Sequence, residues 1–155
     1  MKMKKLIDHW ILMVLLTGLF AVPAFAGEFF EENGVAIGGY DPVAYFAEMK
    51  PVKGSPEFHA EYQGSTFHFS TAANRDTFTA NPNKFPPQYG GYCAYGTAKG
   101  YKAAIDPAAF TVVGDKLYLN YSERVRSKWK LDIPGYIRTA NANWPDVKRL
   151  AKVHQ

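Results

Sequence analysis

The chain contains very little cysteine. Cys93 is the only cysteine among its 155 residues, so no disulfide can form within the chain. A hydrophobic core must therefore hold the fold together. A chain of this length makes one domain, and such a domain buries enough apolar surface to be stable without covalent cross-links.

A long apolar run is also missing. The run from Trp10 to Val22 is shorter than the roughly 20 residues that a membrane-spanning helix needs. It follows three lysines within the first five residues and precedes the small-x-small sequence AFA at residues 24–26. That order is typical of a secretory signal peptide. We expect residues 1–26 to be this signal peptide, cleaved after Ala26, and the mature domain (residues 27–155) to be periplasmic or secreted, without a membrane span.

The sequence lacks a strong excess of either charge. The formal net charge is +4, and loss of the signal peptide removes three lysines and Asp8, which lowers it to +2. Nucleic-acid binding usually requires a concentrated basic face. We therefore expect no nucleic-acid partner, and the sequence says nothing about a protein partner.

The recognisable catalytic patterns are missing too. The sequence shows no nucleophile elbow, no phosphate loop and no HExxH. Thiol catalysis would need a base held by a third group, and Cys93 has no resolving cysteine. We expect a protein that is not an enzyme.

The hydrophobic pattern predicts two hairpins. In "FHAEYQGSTFHFS" apolar and polar residues alternate on both sides of a turn at Gln63-Gly64. The predicted register pairs Tyr62 with Ser65, Ala60 with Phe67, His59 with His68 and Phe58 with Phe69. A second turn at Gly114-Asp115 joins residues 110–113 to residues 117–121.

Short helices complete the pattern. Residues that favour helix N-caps precede four apolar periodic stretches: Asp41, Ser70 or Thr71, Ser122, and Asp132. The first of these helices is expected to turn Val43, Phe46 and Ala47 inward. Pro145 is expected to break the last one, leaving a basic amphipathic end. Its Lys148, Arg149 and Lys152 either contact an anionic surface or form a solvated helix face, and the second interpretation is favoured. The fold class predicted is α+β, in one compact unit.

Several spaced sequence elements resemble the YHS domain, a small treble-clef-like module of metal-handling proteins. These elements are "DPVAYF", "YQGSTFHFS" and "F-x-x-NPNKF", and they cover roughly residues 40–85. Beyond them, "YGGYCAYG", "LYLNY" and "ANWP" resemble an exported subgroup that adds a C-terminal helical part. The resemblance implies a core module at about 40–85 and an extension at 86–155.

The chain departs from the metal-associated members of that family at three positions. Where they carry metal-binding cysteines, this sequence has Ala44, Ser70 and Asn74. Alanine has no ligand atom, and serine and asparagine are poor ligands for a soft metal. A thiolate metal site is therefore not expected at these positions.

Cys93 has two interpretations. As a ligand or nucleophile it would use the close backbone approach that Gly90-Gly91 permits, with Lys99 and Lys102 lowering its pKa. Alternatively it is a buried small hydrophobe, as free cysteines often are.

The histidine pair is also open to two interpretations. Opposed residues of an antiparallel pair have Cβ atoms about 5 Å apart, so His59 and His68 are close enough to share a copper or zinc ion. With Cys93 they would make a His2Cys set, a pattern associated with copper. Otherwise they are two solvent-facing histidines.

Tyr89, Tyr92 and Tyr101 are candidates to line a ligand pocket, or else belong to the core and its rim.

Two functions remain open. The first is an exported metal-binding accessory protein, with copper or another transition metal as the cofactor to test. The second is a small-molecule or protein interaction module with a buried structural cysteine and no metal.

Overall fold

The computed structural model describes residues 28–155, so the predicted signal peptide lies outside the described residues. The described chain mixes helices with small antiparallel hairpins, as the α+β prediction requires. The strands are β1 (Glu31–Glu32), β2 (Val35–Ala36), β3 (Ser55–Tyr62), β4 (Ser65–Phe69), β5 (Lys102–Ala103), β6 (Asp106–Val113), β7 (Lys116–Asn120) and β8 (Val153–His154). The α-helices are α1 (Ala44–Ala47), α2 (Ala72–Ala80), α3 (Ala94–Ala98), α4 (Glu123–Trp129) and α5 (Ile133–Val147).

Strands β3 and β4 form the first predicted hairpin. Its turn is at Gln63 and Gly64, both with positive φ. The predicted pairings of Tyr62, Ala60 and His59 are confirmed: they pair with Ser65, Phe67 and His68. The pairing of Phe58 with Phe69 is wrong, because an irregularity between Ser55 and His59 places Ser55 opposite Phe69.

The second hairpin and three of the four predicted helix caps also follow the prediction, whereas α1 begins at Ala44 with Val43 rather than Asp41 as its N-cap residue. Strands β6 and β7 meet at Gly114-Asp115, where Val113 pairs with Lys116. Thr71, Ser122 and Asp132 each accept a hydrogen bond from a backbone N–H of the helix that follows. Local capping chemistry therefore sets where α2, α4 and α5 begin.

The interior is divided into three apolar clusters. The module cluster, from residues 29–85, contains Phe29, Ala36, Val43, Phe67, Phe69, Phe78 and Phe85. The extension cluster contains Tyr89, Ala94, Ala98, Tyr118, Trp129 and Ala140. A third, the bridging cluster, joins Ile37 and Tyr45 to Leu117 and Leu119. Hairpin β6–β7 therefore contributes to the packing of both halves.

Two local predictions are wrong. In α1 it is Tyr45 that is fully buried, while Ala47 is exposed. Pro145 does not end α5, which continues to Val147.

Lys148, Arg149 and Lys152 are exposed, as predicted, but the end of the described chain is paired. Strand β8 pairs in parallel with β5, Val153 lying opposite Lys102 and His154 opposite Ala103. This long-range pairing ties the C-terminal segment to the middle of the chain. Within residues 28–155, no helix is long and apolar enough to cross a membrane.

Candidate functional site

Asp41 is the centre of a buried hydrogen-bond network. Its carboxylate is fully buried. Oδ1 accepts from the backbone N–H groups of Val43 and Ala44, at 2.8 and 3.2 Å. Oδ2 accepts from the Ser70 N–H at 2.8 Å, the Ser70 hydroxyl at 2.7 Å and the Asn74 side-chain amide at 2.7 Å. Five donors therefore compensate for the loss of water around the charge.

Three of the residues that donate to Asp41 stand at the positions where the resemblance to the YHS domain would place metal-binding cysteines: Ala44, Ser70 and Asn74. Ser70 and Asn74 direct their polar side-chain groups at Asp41, and Ala44 gives it a backbone N–H. These groups act as donors to a carboxylate and leave no thiolate for a metal. The residues present therefore do not fit the soft-metal site of that family.

Cys93 lies at the N-terminus of α3 with 1% of its surface exposed. Its sulfur accepts from the N–H groups of Gly96 at 3.4 Å and Tyr121 at 3.3 Å. Its thiol donates to Asn120 Oδ1 at 3.6 Å. Burial raises the pKa of Cys93, and the backbone N–H bonds offset that rise only in part. Such a thiol is poorly ionised, and none of its three partners is a base.

The glycines before Cys93 allow close packing against buried apolar residues. Gly91 has φ +77°, and a Cβ there would lie 2.7 Å from Ile37 Cγ2 and 3.0 Å from Pro87 Cγ. Any side chain at this position would collide with buried apolar atoms. The glycines therefore permit packing and bring no ligand to the sulfur.

The histidine pair forms as predicted, at the edge of the first hairpin. His59 is exposed, and its Nδ1 donates to the carbonyl of Pro56 at 2.9 Å, so that in the neutral ring Nε2 carries the lone pair. His68 is half-buried, and its pKa is lowered by burial and by the nearby charges of His59 and Lys53. A cation at Lys53 opposes the binding of a metal ion here.

The structure does not join Cys93 to the two histidines. Within residues 28–155, no three His, Cys, Asp or Glu side chains converge to hold a metal ion. The sulfur is enclosed between α3 and β7, while the histidines lie on β3 and β4. The predicted His2Cys set is therefore not formed.

The three candidate tyrosines lie in separate cavities. Tyr89 contributes to a cavity of about 180 Å³, and its hydroxyl donates to Asn141 Oδ1. Tyr101 and Cys93 line another of about 390 Å³, where the ring of His154 lies 5.0 Å from that of Tyr101. Tyr92 lines a third of about 790 Å³. The predicted tyrosine pocket is therefore not a single pocket.

The cavity of about 790 Å³ is called the Lys102 cavity below. Its walls come from the start of the described chain, the β3–β4 turn, β5 and the C-terminal segment: Glu28, Gln63, Gly64, Tyr92, Lys102, Lys148, Arg149, Leu150, Ala151 and Val153. The pairing of β8 with β5 brings these distant residues together.

Sequence reasoning missed the role of Lys102 in this cavity. Its position in the sequence predicts a charge near Cys93 that would lower the pKa of the thiol. Instead its ammonium donates to the carbonyl of Lys148 at 2.8 Å and lies 4.8 Å from the centre of the Tyr92 ring. The basic composition of residues 148–152 was the available signal, but it does not reveal the long-range pairing that builds the wall.

Comparisons of the chain with protein-family models, curated proteins and solved structures found no match.

Proposed function

We propose that this is an exported, non-enzymatic binding protein of the YHS type, with a treble-clef-like module, which takes up a small organic molecule in the Lys102 cavity. The size of that cavity carries the proposal. Ligand pockets commonly enclose about 300–1,000 Å³, and this cavity has about 790 Å³. Cys93 then has a structural role, in keeping with its burial and its bonds to Asn120, Gly96 and Tyr121.

The test is a fragment screen on the isotopically labelled mature protein. Neutral, cationic and anionic fragments are added in turn, and backbone amide shifts are followed by NMR. We expect binders to shift the amides of Gln63, Tyr92 and Val153. If no fragment of any charge shifts them, the cavity is not a binding site and the proposal fails.

A cavity-filling variant makes this test specific. Ala151 is exposed on the cavity wall, so Ala151→Trp should occupy the cavity and abolish the shifts. Ala73 is exposed on α2 and does not line the cavity, so Ala73→Trp is the matched control. Shifts that survive in Ala151→Trp would place the binding elsewhere.

The second candidate function is copper binding by the histidine pair without Cys93. Two observations favour it: the direct opposition of His59 and His68, and the free Nε2 of His59. Two ligands hold a metal only weakly. In titrations with Cu(II) and Zn(II), the double variant His59→Gln/His68→Gln should lose binding, whereas Cys93→Ser and His154→Gln should retain it. Binding that requires Cys93 would contradict this assignment.

A further inference from the structure

The Lys102 cavity carries an excess of positive charge. Three of its lining residues are cations (Lys102, Lys148 and Arg149), and one, Glu28, is a carboxylate. A cavity lined mainly by one sign of charge favours ligands of the opposite sign.

Lys102 is the most informative of these cations. Only 9% of its surface is exposed, and the ion pairs found within residues 28–155 do not include it. An ammonium has three N–H donors, and one of them goes to the carbonyl of Lys148. The buried ammonium therefore retains N–H donors and forms no ion pair within the described residues.

The other two cations are free to act with Lys102. Arg149 forms an ion pair with Asp146 at 3.8 Å, but both side chains are largely exposed, at 75% and 92%. Such a surface pair is weak, so another anion can readily replace the Asp146 carboxylate at Arg149. Lys148 follows the end of α5 on the same wall.

Part of the remaining wall is apolar, whereas Gln63 is polar. Leu150 is one of the few large hydrophobic side chains that are well exposed, at 42%. Ala151 and Val153 continue the surface along the C-terminal segment, and the Tyr92 ring lies beneath the ammonium of Lys102. A ligand would thus meet cations at one place and an apolar surface beside them.

We propose that the ligand of this cavity is an organic anion, with an oxyanion head group at Lys102, Lys148 and Arg149 and a short apolar body against Leu150 and Val153. This inference rests on the proposed function and adds the chemical class of the ligand. The head group is a carboxylate or a phosphate, since both offer the oxygen acceptors that ammonium and guanidinium groups bind.

Four matched probes test the ligand class: hexanoate, hexyl phosphate, the neutral hexanamide and inorganic phosphate. Affinities are measured by NMR titration at low salt, where screening is weak. We expect one or both organic anions to bind, and hexanamide to bind about tenfold more weakly because it loses the charge-assisted hydrogen bonds. The relative affinity of hexanoate and hexyl phosphate identifies the head group. Equal binding of hexanoate, hexyl phosphate and hexanamide would overturn the anion inference and leave the proposed function standing.

Inorganic phosphate tests the apolar body. It should bind clearly more weakly than hexyl phosphate if Leu150 and Val153 contact the chain of the ligand. Equal affinities would overturn that half of the proposal. If none of the four probes binds while fragments of other chemistry do, the ligand class is wrong but the cavity still binds; if nothing binds at all, the proposed function itself fails.

Variants then locate the cations. The double variant Lys148→Gln/Arg149→Gln should weaken binding of the organic anion about tenfold and leave the affinity for hexanamide unchanged. The matched control, Lys116→Gln/Arg124→Gln, removes two exposed cations that do not line the cavity and should leave all affinities unchanged. Lys102→Gln should abolish anion binding, but it also removes a bond to the end of α5. If Lys102→Gln fails to fold, the Lys148→Gln/Arg149→Gln variant decides the outcome. An equal loss of anion affinity in the control variant would overturn the proposal.

Discussion

The side-chain amide of Asn74 donates a 2.7 Å hydrogen bond to the buried carboxylate of Asp41. These two residues join the start of α1 to helix α2, with Ser70 between them. A buried carboxylate and its hydrogen-bond donors thus link three segments between residues 41 and 74. The hydrogen bonds to the Asp41 carboxylate are charge-assisted, and the bond from Asn74 to Ser70 holds two of the donors together.

Asp41→Asn should therefore destabilise the fold strongly. Its new amide NH2 would face the donors of Ser70 and Asn74, leaving buried groups without acceptors. We expect the free energy of unfolding to fall by about 3 kcal/mol. Urea denaturation measures it. Asp76→Asn is the control, because Asp76 is exposed and pairs only with its neighbour Arg75; a similar small loss in both variants would contradict a structural role for the network.

Cys93 should be unreactive in the folded protein. With 1% of its surface exposed and a raised pKa, it presents little thiolate to a reagent. Iodoacetamide should label it slowly in native protein and rapidly in urea, as mass spectrometry can follow. Labelling at the rate of a free thiol in native conditions would instead restore the reactive interpretation.

Replacing Cys93 should show what its sulfur contributes to stability. Cys93→Ala leaves the N–H groups of Gly96 and Tyr121 without their acceptor, which should cost about 2 kcal/mol of unfolding free energy. Cys93→Ser keeps an acceptor and should lose less. Equal losses, measured by urea denaturation, would show that the sulfur acts only by its volume.

The histidine pair should make stability depend on pH. The pKa of His68 is lower in the folded protein than its ordinary value of 6.5, through burial and the charges of His59 and Lys53. Below pH 6.5 the unfolded chain therefore binds more protons than the folded chain. The stability that neutral His68 contributes is present above pH 6.5 and is lost as the pH falls through the folded pKa. Urea denaturation of the wild type and of His68→Gln across this range measures the contribution as their difference.

His59→Gln offers a direct check on the same coupling. It removes one of the charges that lower the pKa of His68, so that pKa should rise towards 6.5 in an NMR titration. His154→Gln is the control, since His154 packs on Tyr101 at the other end of the chain. A pKa of His68 that moves in neither variant would show that the charge of His59 does not contribute to the shift.

Gly91→Ala should be more destabilising than Gly100→Ala. Both glycines have positive φ, at +77° and +87°, so both substitutions pay about 1 kcal/mol of backbone strain. At Gly91 the new Cβ also meets Ile37 and Pro87, whereas at Gly100 nothing lies within 4 Å. Overpacking should add about 1–3 kcal/mol at Gly91 only. Thermal or urea denaturation measures the difference, and equal losses would mean that the packing relaxes.

The sequence by itself determined the local structure. Alternation of period two and the Gln63-Gly64 turn fixed the opposition of His59 and His68, because both effects act over a few residues. The caps at Thr71, Ser122 and Asp132 followed for the same reason: the side chain bonds the backbone beside it. The irregularity in β3 and the continuation of α5 through Pro145 were missed, since packing against distant residues can override local preference.

Only the tertiary structure decided which of the candidate residues lie close together. The burial of Cys93, its separation from the histidines, and the placing of the three tyrosines in three cavities depend on long-range packing that no local pattern encodes. The Lys102 cavity depends on the pairing of β8 with β5, about 50 residues apart in the chain. Sequence spacing specifies turns, caps and register, whereas the sites of this protein are formed by contacts between segments that are distant in the chain.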